Sequence, residues 1–118
     1  DYTSGRIFPE AVCYSFYPID LHDAEVGLDK RNLASGVVPT VPRGALIPRN
    51  SHRFLAAGRI LSSDRLANSA LRIQATCMAT GQAAGAIAAL AAASGMEPRD
   101  VEYSRIRQLL CEHGAILP

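Results

Sequence analysis

The sequence predicts an α+β fold in which short β elements are followed by a long helix and a shorter C-terminal helix. Three observations lead to this prediction. The first half of the 118-residue chain is rich in proline and β-branched residues, residues 68–95 are rich in alanine and contain no proline, and the tail has apolar residues at helical spacing. We therefore divide one domain into a β-rich part (1–50), a strand and helix (51–95) and a C-terminal helix (96–118).

The β elements of the first part are short. The stretch AVCYSFYPID, rich in β-branched and aromatic residues, predicts a strand that ends at Pro18. The next stretch, LHDAEVGLDKRNLASG, is polar and predicts a loop with breaks at Gly27 and Gly36. The segment VVPTVPRGALIP predicts two short extended pieces, in an edge strand or an extended connection, because each of its three prolines lacks a backbone donor.

The middle part predicts a buried strand and one continuous helix. Phe54–Ala57 is a short apolar run stopped by Gly58, as in strands that are buried on both faces. A helix is predicted from 68 to 95, with Asn68 or Ser69 as its N-cap and a glycine at its end. Small or apolar residues cover every side of most of this helix, which predicts that it is enclosed on all sides.

The tail predicts an amphipathic helix. Ile106, Leu109 and Leu110 form its apolar stripe, and Gly114 ends it. No internal repeat accompanies these elements.

Composition argues against several classes of function. Hydrophobic residues make up 48% of the chain and charged residues 19%, which is too apolar for a disordered protein. A net charge of +1, with no basic stripe, gives no reason to expect a nucleic-acid partner. No membrane partner is expected either, because two glutamines and a threonine interrupt the alanine-rich run.

The cysteines indicate a compartment. Cys13, Cys77 and Cys111 are odd in number and widely spaced, so we expect neither a disulfide framework nor a zinc site. A reducing cytoplasm is the expected location.

Arg72 is the most unusual residue of the predicted helix, because it falls in the first turn. A cation there opposes the helix dipole by a few tenths to about 1 kcal/mol. A broken local rule of this kind points to function. An anion at the helix start, such as a phosphate, a carboxylate substrate or the polar edge of a flavin, would compensate. The alternative is a surface ion pair between Arg72 and Asp64.

Two further patterns have a functional and a structural interpretation. His22 stands among carboxylates in YPIDLHDAE and can transfer protons near neutral pH, although a solvated acidic loop explains the same residues. Their spacing matches no metal-ligand pattern, and no metal site is expected. Gly81 and Gly85 share a helix face that permits a close approach, either to a ligand-binding sheet or within an ordinary tight interface.

Three stretches resemble a known family in their order and spacing. YSFYPIDLHD, VPRGALIPRNSHRFLAAGRILSS and LRIQATCMATGQAAGAIAALA are similar to the C-terminal part of FAD-dependent oxidoreductases of the two-dinucleotide-binding flavoprotein group, which includes fumarate reductase-like enzymes. The resemblance extends from about Ile7 to Gly114. It implies an incomplete part of an α/β FAD-binding fold, because the family's G-x-G-x-x-G element does not occur in these 118 residues.

The resemblance implies FAD as the cofactor and assigns residues to it. The AGR stretch would lie along the ribityl and pyrophosphate part of FAD, and the start of the following helix would face the pyrimidine edge of the flavin. The implied cofactor-binding residues are Gly58, Arg59, Ser69, Arg72 and Ile73.

The same resemblance places the YPIDLHD segment on the substrate side. Arg72 and His22 are the implied catalytic residues, and Tyr17 is a further candidate near the substrate. We expect a small-molecule substrate, such as a carboxylate.

The expected function is that of the C-terminal section of an FAD-dependent oxidoreductase, with an N-terminal FAD-binding half as its partner. On its own, the section is expected to have little or no turnover. It is also expected to form homo-oligomers through exposed apolar faces. The alternative is a non-enzymatic interaction module that self-associates through the small-residue helix.

Overall fold

The computed structural model describes residues 1–25 and 27–118, and its strands form two small antiparallel sheets. The strands are β1 (Ala11–Tyr14), β2 (Ile19–Asp23), β3 (Gly27–Arg31) and β4 (Thr40–Pro42). β1 pairs with β4, and β2 pairs with β3 in a hairpin. The described strands all precede the helices, and the predicted α+β class is confirmed.

Three α-helices and two short 3-10 turns follow the strands. The helices are α1 (Arg65–Leu71), α2 (Gln74–Ser94) and α3 (Tyr103–Glu112), and the 3-10 turns are Arg43–Leu46 and Gly58–Ile60. α2 packs against β1, α3 and the second 3-10 turn, whereas α1 packs against β2. The hairpin of β2 and β3 is therefore positioned by α1.

The prediction of one continuous helix from 68 to 95 is wrong at its start. Asp64 accepts a hydrogen bond from the Ala67 N–H at 2.9 Å, so the first helix begins earlier than predicted. Ile73 then adopts an extended conformation (φ −72°, ψ 155°) and separates α1 from α2. Asn68 and Ser69 consequently lie inside α1 and cap no helix.

Two strand predictions also need correction. The chain ends β1 at Tyr14 and resumes as β2 after Pro18, so AVCYSFYPID contains a break. Much of the predicted polar loop forms the β2–β3 hairpin, in which oppositely charged Asp20 and Lys30 face each other across the strands. Val26, which belongs to the same predicted loop, lies outside the described residues.

The predicted buried strand at Phe54–Ala57 does not form. A strand requires hydrogen-bonded neighbours, and the Ala56 N–H to Leu46 O bond (2.8 Å) is the one backbone hydrogen bond of residues 54–57 in the described part of the chain. Phe54 is 55% exposed. Ala56 is buried, and Leu55 and Ala57 are half-buried against the core, so the segment is a partly buried connection that leads into Gly58.

The hydrophobic core lies where the β1–β4 sheet meets α2 and α3. Its largest fully buried members are Leu46, Ile87, Ile106 and Leu110. α2 contributes one buried face at helical spacing, formed by Thr76, Thr80, Ala83, Ile87 and Ala91. The prediction that this helix is enclosed on all sides is wrong for this structure, because its other positions are half-buried or exposed and Met78 is 68% exposed. The tail helix and its apolar stripe agree with prediction.

Within the described residues, α2 is long and apolar enough to cross a bilayer. Its mean hydropathy is 1.3, and 28% of the stretch is buried in the structure. A core helix of a soluble protein passes the same test of length and hydropathy, so this finding is weak support for a membrane span. The expectation of no membrane partner stays a prediction.

Candidate functional site

A groove of about 410 Å³ lies between β2 and α1. It contains three of the residues that sequence reasoning selected, namely His22, Ser69 and Arg72. The residues that line it are Asp20, Leu21, His22, Ser63, Arg65, Asn68, Ser69 and Arg72.

The α1 wall of the groove is a single polar face of the helix. Arg65, Asn68, Ser69 and Arg72 follow one another at i, i+3, i+4 and i+7, which places them on one side of a helix. The next residues after Ser69, Ala70 and Leu71, are buried toward the core. Because Asp64 starts the helix at Arg65, this face presents a guanidinium at each of its ends.

Arg72 is held in a defined orientation at the end of α1. Its Nε donates to the Ser69 carbonyl at 3.2 Å, and its Nη2 donates to the Asp20 carbonyl at 3.1 Å. A guanidinium has five N–H donors, so three remain for other acceptors. The predicted opposition to a helix dipole is wrong for α1, since a cation at the C-terminal end of a helix interacts favourably with it.

The carboxylate of Asp20 lies between the side chains of Arg72 and His22. Its Oδ2 is 4.0 Å from Arg72 Nη2 and 3.6 Å from His22 Nε2. The alternative pairing of Arg72 with Asp64 is not observed, because the Asp64 side chain caps α1. His22 is 68% exposed, so its imidazole is accessible from solvent. Arg65 forms an ion pair with Asp23 at the other end of the groove.

Ser69 fixes the hairpin against α1. Its hydroxyl donates to the Leu66 carbonyl at 2.7 Å and accepts from the Asp20 N–H at 3.1 Å. Ser69 is only 4% exposed. These contacts make it a positioning residue that sets the distance between β2 and α1.

The start of α2 lies directly after Arg72 and carries unpaired donors. No residue of the described chain accepts a hydrogen bond from the backbone N–H groups of Gln74, Ala75 or Thr76. The N-cap residue Ile73 offers no side-chain acceptor. This end of a 21-residue helix therefore keeps the partial positive charge that attracts an anion or an electron-rich ring edge.

A series of hydroxyl groups anchors this helix start. The Thr76 and Ser15 hydroxyls are 3.0 Å apart, and Ser15 is 3.0 Å from the Tyr2 hydroxyl. Tyr2 in turn donates to the Tyr17 carbonyl at 2.9 Å. Tyr17, the predicted substrate-side residue, lies in the segment before β2, where Tyr2 binds its backbone carbonyl. Tyr17 does not line the groove.

Gly58 and Arg59 lie beside α2, outside the groove. Gly58 has a φ of 68°, in the left-handed region that favours glycine. Its N–H donates to Thr80 Oγ1 at 3.1 Å, and the Thr80 hydroxyl donates to the Thr76 carbonyl at 2.8 Å. Arg59 is exposed in the 3-10 turn. The predicted site residues therefore form two groups. His22, Ser69 and Arg72 line the groove, and Gly58 and Arg59 lie beside α2. Ile73 follows Arg72 in the chain and precedes α2.

Sequence reasoning did not select Asp20, Arg65 or Asn68 as site residues. The spacing of Arg65, Asn68, Ser69 and Arg72 carries a signal for a polar helix face. The spacing predicts this polar face only if the helix begins at Arg65. Asp64, a good N-cap residue, indicates that start.

A second groove, of about 640 Å³, follows the small-residue face of α2. Ala84, Gly85, Ala88 and Ala92 form its floor, and Leu55 and Arg53 stand at its side. The apolar lining and the lack of large side chains leave space against this helix face.

Comparison with known families gives a match over most of the chain. The family profile described as FAD dependent oxidoreductase matches residues 1–110. The chain belongs to this family. No curated protein and no solved structure matches it. The match supports a flavoprotein oxidoreductase role for this family member and gives no support to the fumarate reductase-like subgroup in particular.

The geometry of this oxidoreductase chain fits one edge of FAD. The unpaired N–H groups at the start of α2, directly after Arg72, suit the polar pyrimidine edge of the flavin. Gly58 leaves the first position of its 3-10 turn without a side chain. The glycine-rich strand–turn–helix that holds a pyrophosphate does not occur among the 118 residues.

Proposed function

We propose that this chain is the flavin-facing and substrate-facing section of an FAD-dependent oxidoreductase. The observation that supports the proposal most is the meeting of three features: the unpaired amides of α2, the oriented guanidinium of Arg72 and the groove that contains His22. When bound, FAD supplies hydride or electron transfer to or from the substrate.

The substrate role belongs to the groove between β2 and α1. Arg72 binds a carboxylate of a small substrate through the donors that the Ser69 and Asp20 carbonyls leave free. His22, exposed at the rim, gives a proton to or takes one from the substrate. Both residues keep the catalytic roles that the family resemblance implies.

The cofactor role belongs to the start of α2 and the turn at Gly58. The N–H groups near Ile73 hold the pyrimidine edge, where negative charge increases on reduction. Gly58 and Arg59 lie along the ribityl and pyrophosphate part. Ser69 contributes indirectly. Its hydroxyl holds β2 against α1, and its carbonyl orients Arg72.

The rest of the FAD site lies in an N-terminal FAD-binding half outside these 118 residues. The exposed side chain of Phe54 and the groove along the small-residue face of α2 suit contact with that half, because both present apolar surface. The same apolar surfaces favour the formation of homo-oligomers by the section alone. The proposed location of the protein is a reducing cytoplasm.

A titration of FAD with this chain tests the proposal. Binding is measured by the quenching of flavin fluorescence. The chain alone is expected to show no tight stoichiometric binding of FAD. The chain supplied with the FAD-binding half of its own protein is expected to bind one FAD. In the complete protein, Gly58→Ala is expected to weaken FAD binding because alanine is strained at a φ of 68°. Gly81→Ala is the matched control, since its added Cβ meets nothing within 4 Å.

Two results of this titration contradict the proposal. Tight stoichiometric binding of FAD by the chain alone would show that its site is complete. Equal FAD affinity of the Gly58→Ala and Gly81→Ala proteins would remove Gly58 from the cofactor site.

Self-association is a second candidate function, favoured by the groove along Ala84, Gly85 and Ala88. In this alternative, Arg72 has no chemical role. An Arg72 substitution then leaves association and any redox activity unchanged, which separates the two candidates.

A further inference from the structure

The Arg72 guanidinium already has an anion of the protein beside it. Asp20 Oδ2 lies 4.0 Å from Arg72 Nη2, which is an ion pair beyond hydrogen-bond length. The side chain of Asp20 is 20% exposed and lines the same groove as Arg72. A carboxylate of the protein therefore stands beside the guanidinium to which the proposed function assigns the carboxylate of a substrate.

The backbone of Asp20, rather than its side chain, fixes the local structure. The Asp20 N–H donates to Ser69 Oγ at 3.1 Å, and its carbonyl accepts from Arg72 at 3.1 Å. Both bonds survive a rotation of the Asp20 side chain. The carboxylate can therefore leave Arg72 without detaching β2 from α1.

Other partners are available to the carboxylate once it leaves Arg72. The same oxygen, Asp20 Oδ2, is 3.6 Å from His22 Nε2. Lys30 also lies opposite Asp20 in the β2–β3 register. A move away from Arg72 therefore leaves the Asp20 charge with partners and does not expose it alone.

We propose that the Asp20 carboxylate is an internal occupant of the Arg72 anion site, and that an incoming carboxylate displaces it toward His22. The inference rests on the proposed function, which assigns carboxylate binding to Arg72. It makes Asp20 an autoinhibitory residue: anions that contact Arg72 alone bind poorly, and a substrate with further contacts in the groove is selected.

The experiment measures the affinity of this chain for acetate in wild type and in Asp20→Asn. The probe is sodium acetate at constant ionic strength, and the signal is the side-chain Nε–H resonance of Arg72. Asparagine keeps the shape and both backbone bonds but removes the competing charge. Since a partly exposed ion pair of this kind is weak, Asp20→Asn is expected to bind acetate about threefold to fivefold more tightly.

The hairpin offers a matched control. Asp29 is also paired with an arginine, Arg31 on the same strand at 2.6 Å, but it does not line the groove. Asp29→Asn is therefore expected to leave acetate affinity unchanged. Asp20→Ser provides a second removal of the charge and is expected to act in the same direction as Asp20→Asn.

Failure of this inference and failure of the proposed function give different results. If acetate binds and Arg72→Gln abolishes the binding, but Asp20→Asn and Asp20→Ser bind no more tightly than wild type, the autoinhibitory role of Asp20 is wrong and the anion site stands. If acetate binding is absent, or persists in Arg72→Gln, the assignment of carboxylate binding to Arg72 is wrong. That result contradicts both the proposed function and the autoinhibitory role of Asp20.

Discussion

Replacement of Arg72 by glutamine is expected to lower kcat/KM of the FAD-loaded enzyme by about 100-fold, or about 2.7 kcal/mol of transition-state stabilisation. Arg72 is oriented by the carbonyls of Ser69 and Asp20 and lines the groove, where its remaining donors can bind an acidic substrate. Glutamine removes the charge and most of the donors. The measurement is steady-state turnover with an acidic substrate under anaerobic conditions.

Arg105 provides the control for this prediction. It is exposed on α3, away from the groove, and Arg105→Gln is expected to leave kcat/KM unchanged. Unfolding of both variants is followed by circular dichroism, so that a loss of folded protein is not mistaken for a loss of chemistry. Wild-type turnover in a folded, FAD-loaded Arg72→Gln enzyme would remove Arg72 from the mechanism.

Alkaline pH is expected to destabilise the fold through Cys13. Burial raises the pKa of the Cys13 thiol from 9.0 to about 12, because the thiolate is poorly solvated in the core. The folded-state pKa is the higher one, so this contribution to stability is complete below pH 9 and is lost as the pH rises toward 12. At pH 10.5 the loss is about 2 kcal/mol of the free energy of unfolding.

The measurement compares urea unfolding of wild type and Cys13→Ala at pH 8 and pH 10.5 with a reductant present. Cys13→Ala is expected to be less stable at pH 8, since it removes a buried atom, but to lose about 2 kcal/mol less between the two pH values. Cys111→Ala, at an exposed position on α3, serves as the control with a wild-type pH dependence. Burial also raises the pKa of the Tyr2 hydroxyl, and both proteins retain that contribution. Equal pH dependence of wild type and Cys13→Ala would show that the thiol ionises as freely in the folded chain as in the unfolded one.

The fold was predictable where local patterns act alone. The apolar spacing of Ile106 and Leu110 gives α3, and Gly95 ends α2 in the left-handed conformation, as expected for a C-terminal glycine. The break at Ile73 was not predictable, because Leu71, Arg72 and Gln74 on its two sides are good helix formers. Phe54–Ala57 shows the opposite error: its composition suits a strand, but a strand needs neighbours that the described chain does not supply.

Two residues of the groove, Arg72 and His22, were predicted from the sequence, whereas Asp20 was not. Arg72 and His22 share a groove, but the reason given for Arg72, a cation opposed to a helix dipole, depended on the wrong helix start. Asp20 escaped selection because its position between Arg72 and His22 results from the hairpin, which the polar sequence of β2 and β3 did not predict. Tertiary placement of a hairpin on a helix is not encoded in local spacing.

The most direct test of the central claim is hydrogen exchange of the complete protein with and without FAD. The claim is that the start of α2 faces the flavin, and the Gln74, Ala75 and Thr76 amides are unpaired in the described chain. We predict that FAD slows exchange in peptides that cover residues 73–77 and 57–60, and leaves the α3 peptides unchanged. Protection by FAD elsewhere, with unchanged exchange at residues 73–77, would contradict the account.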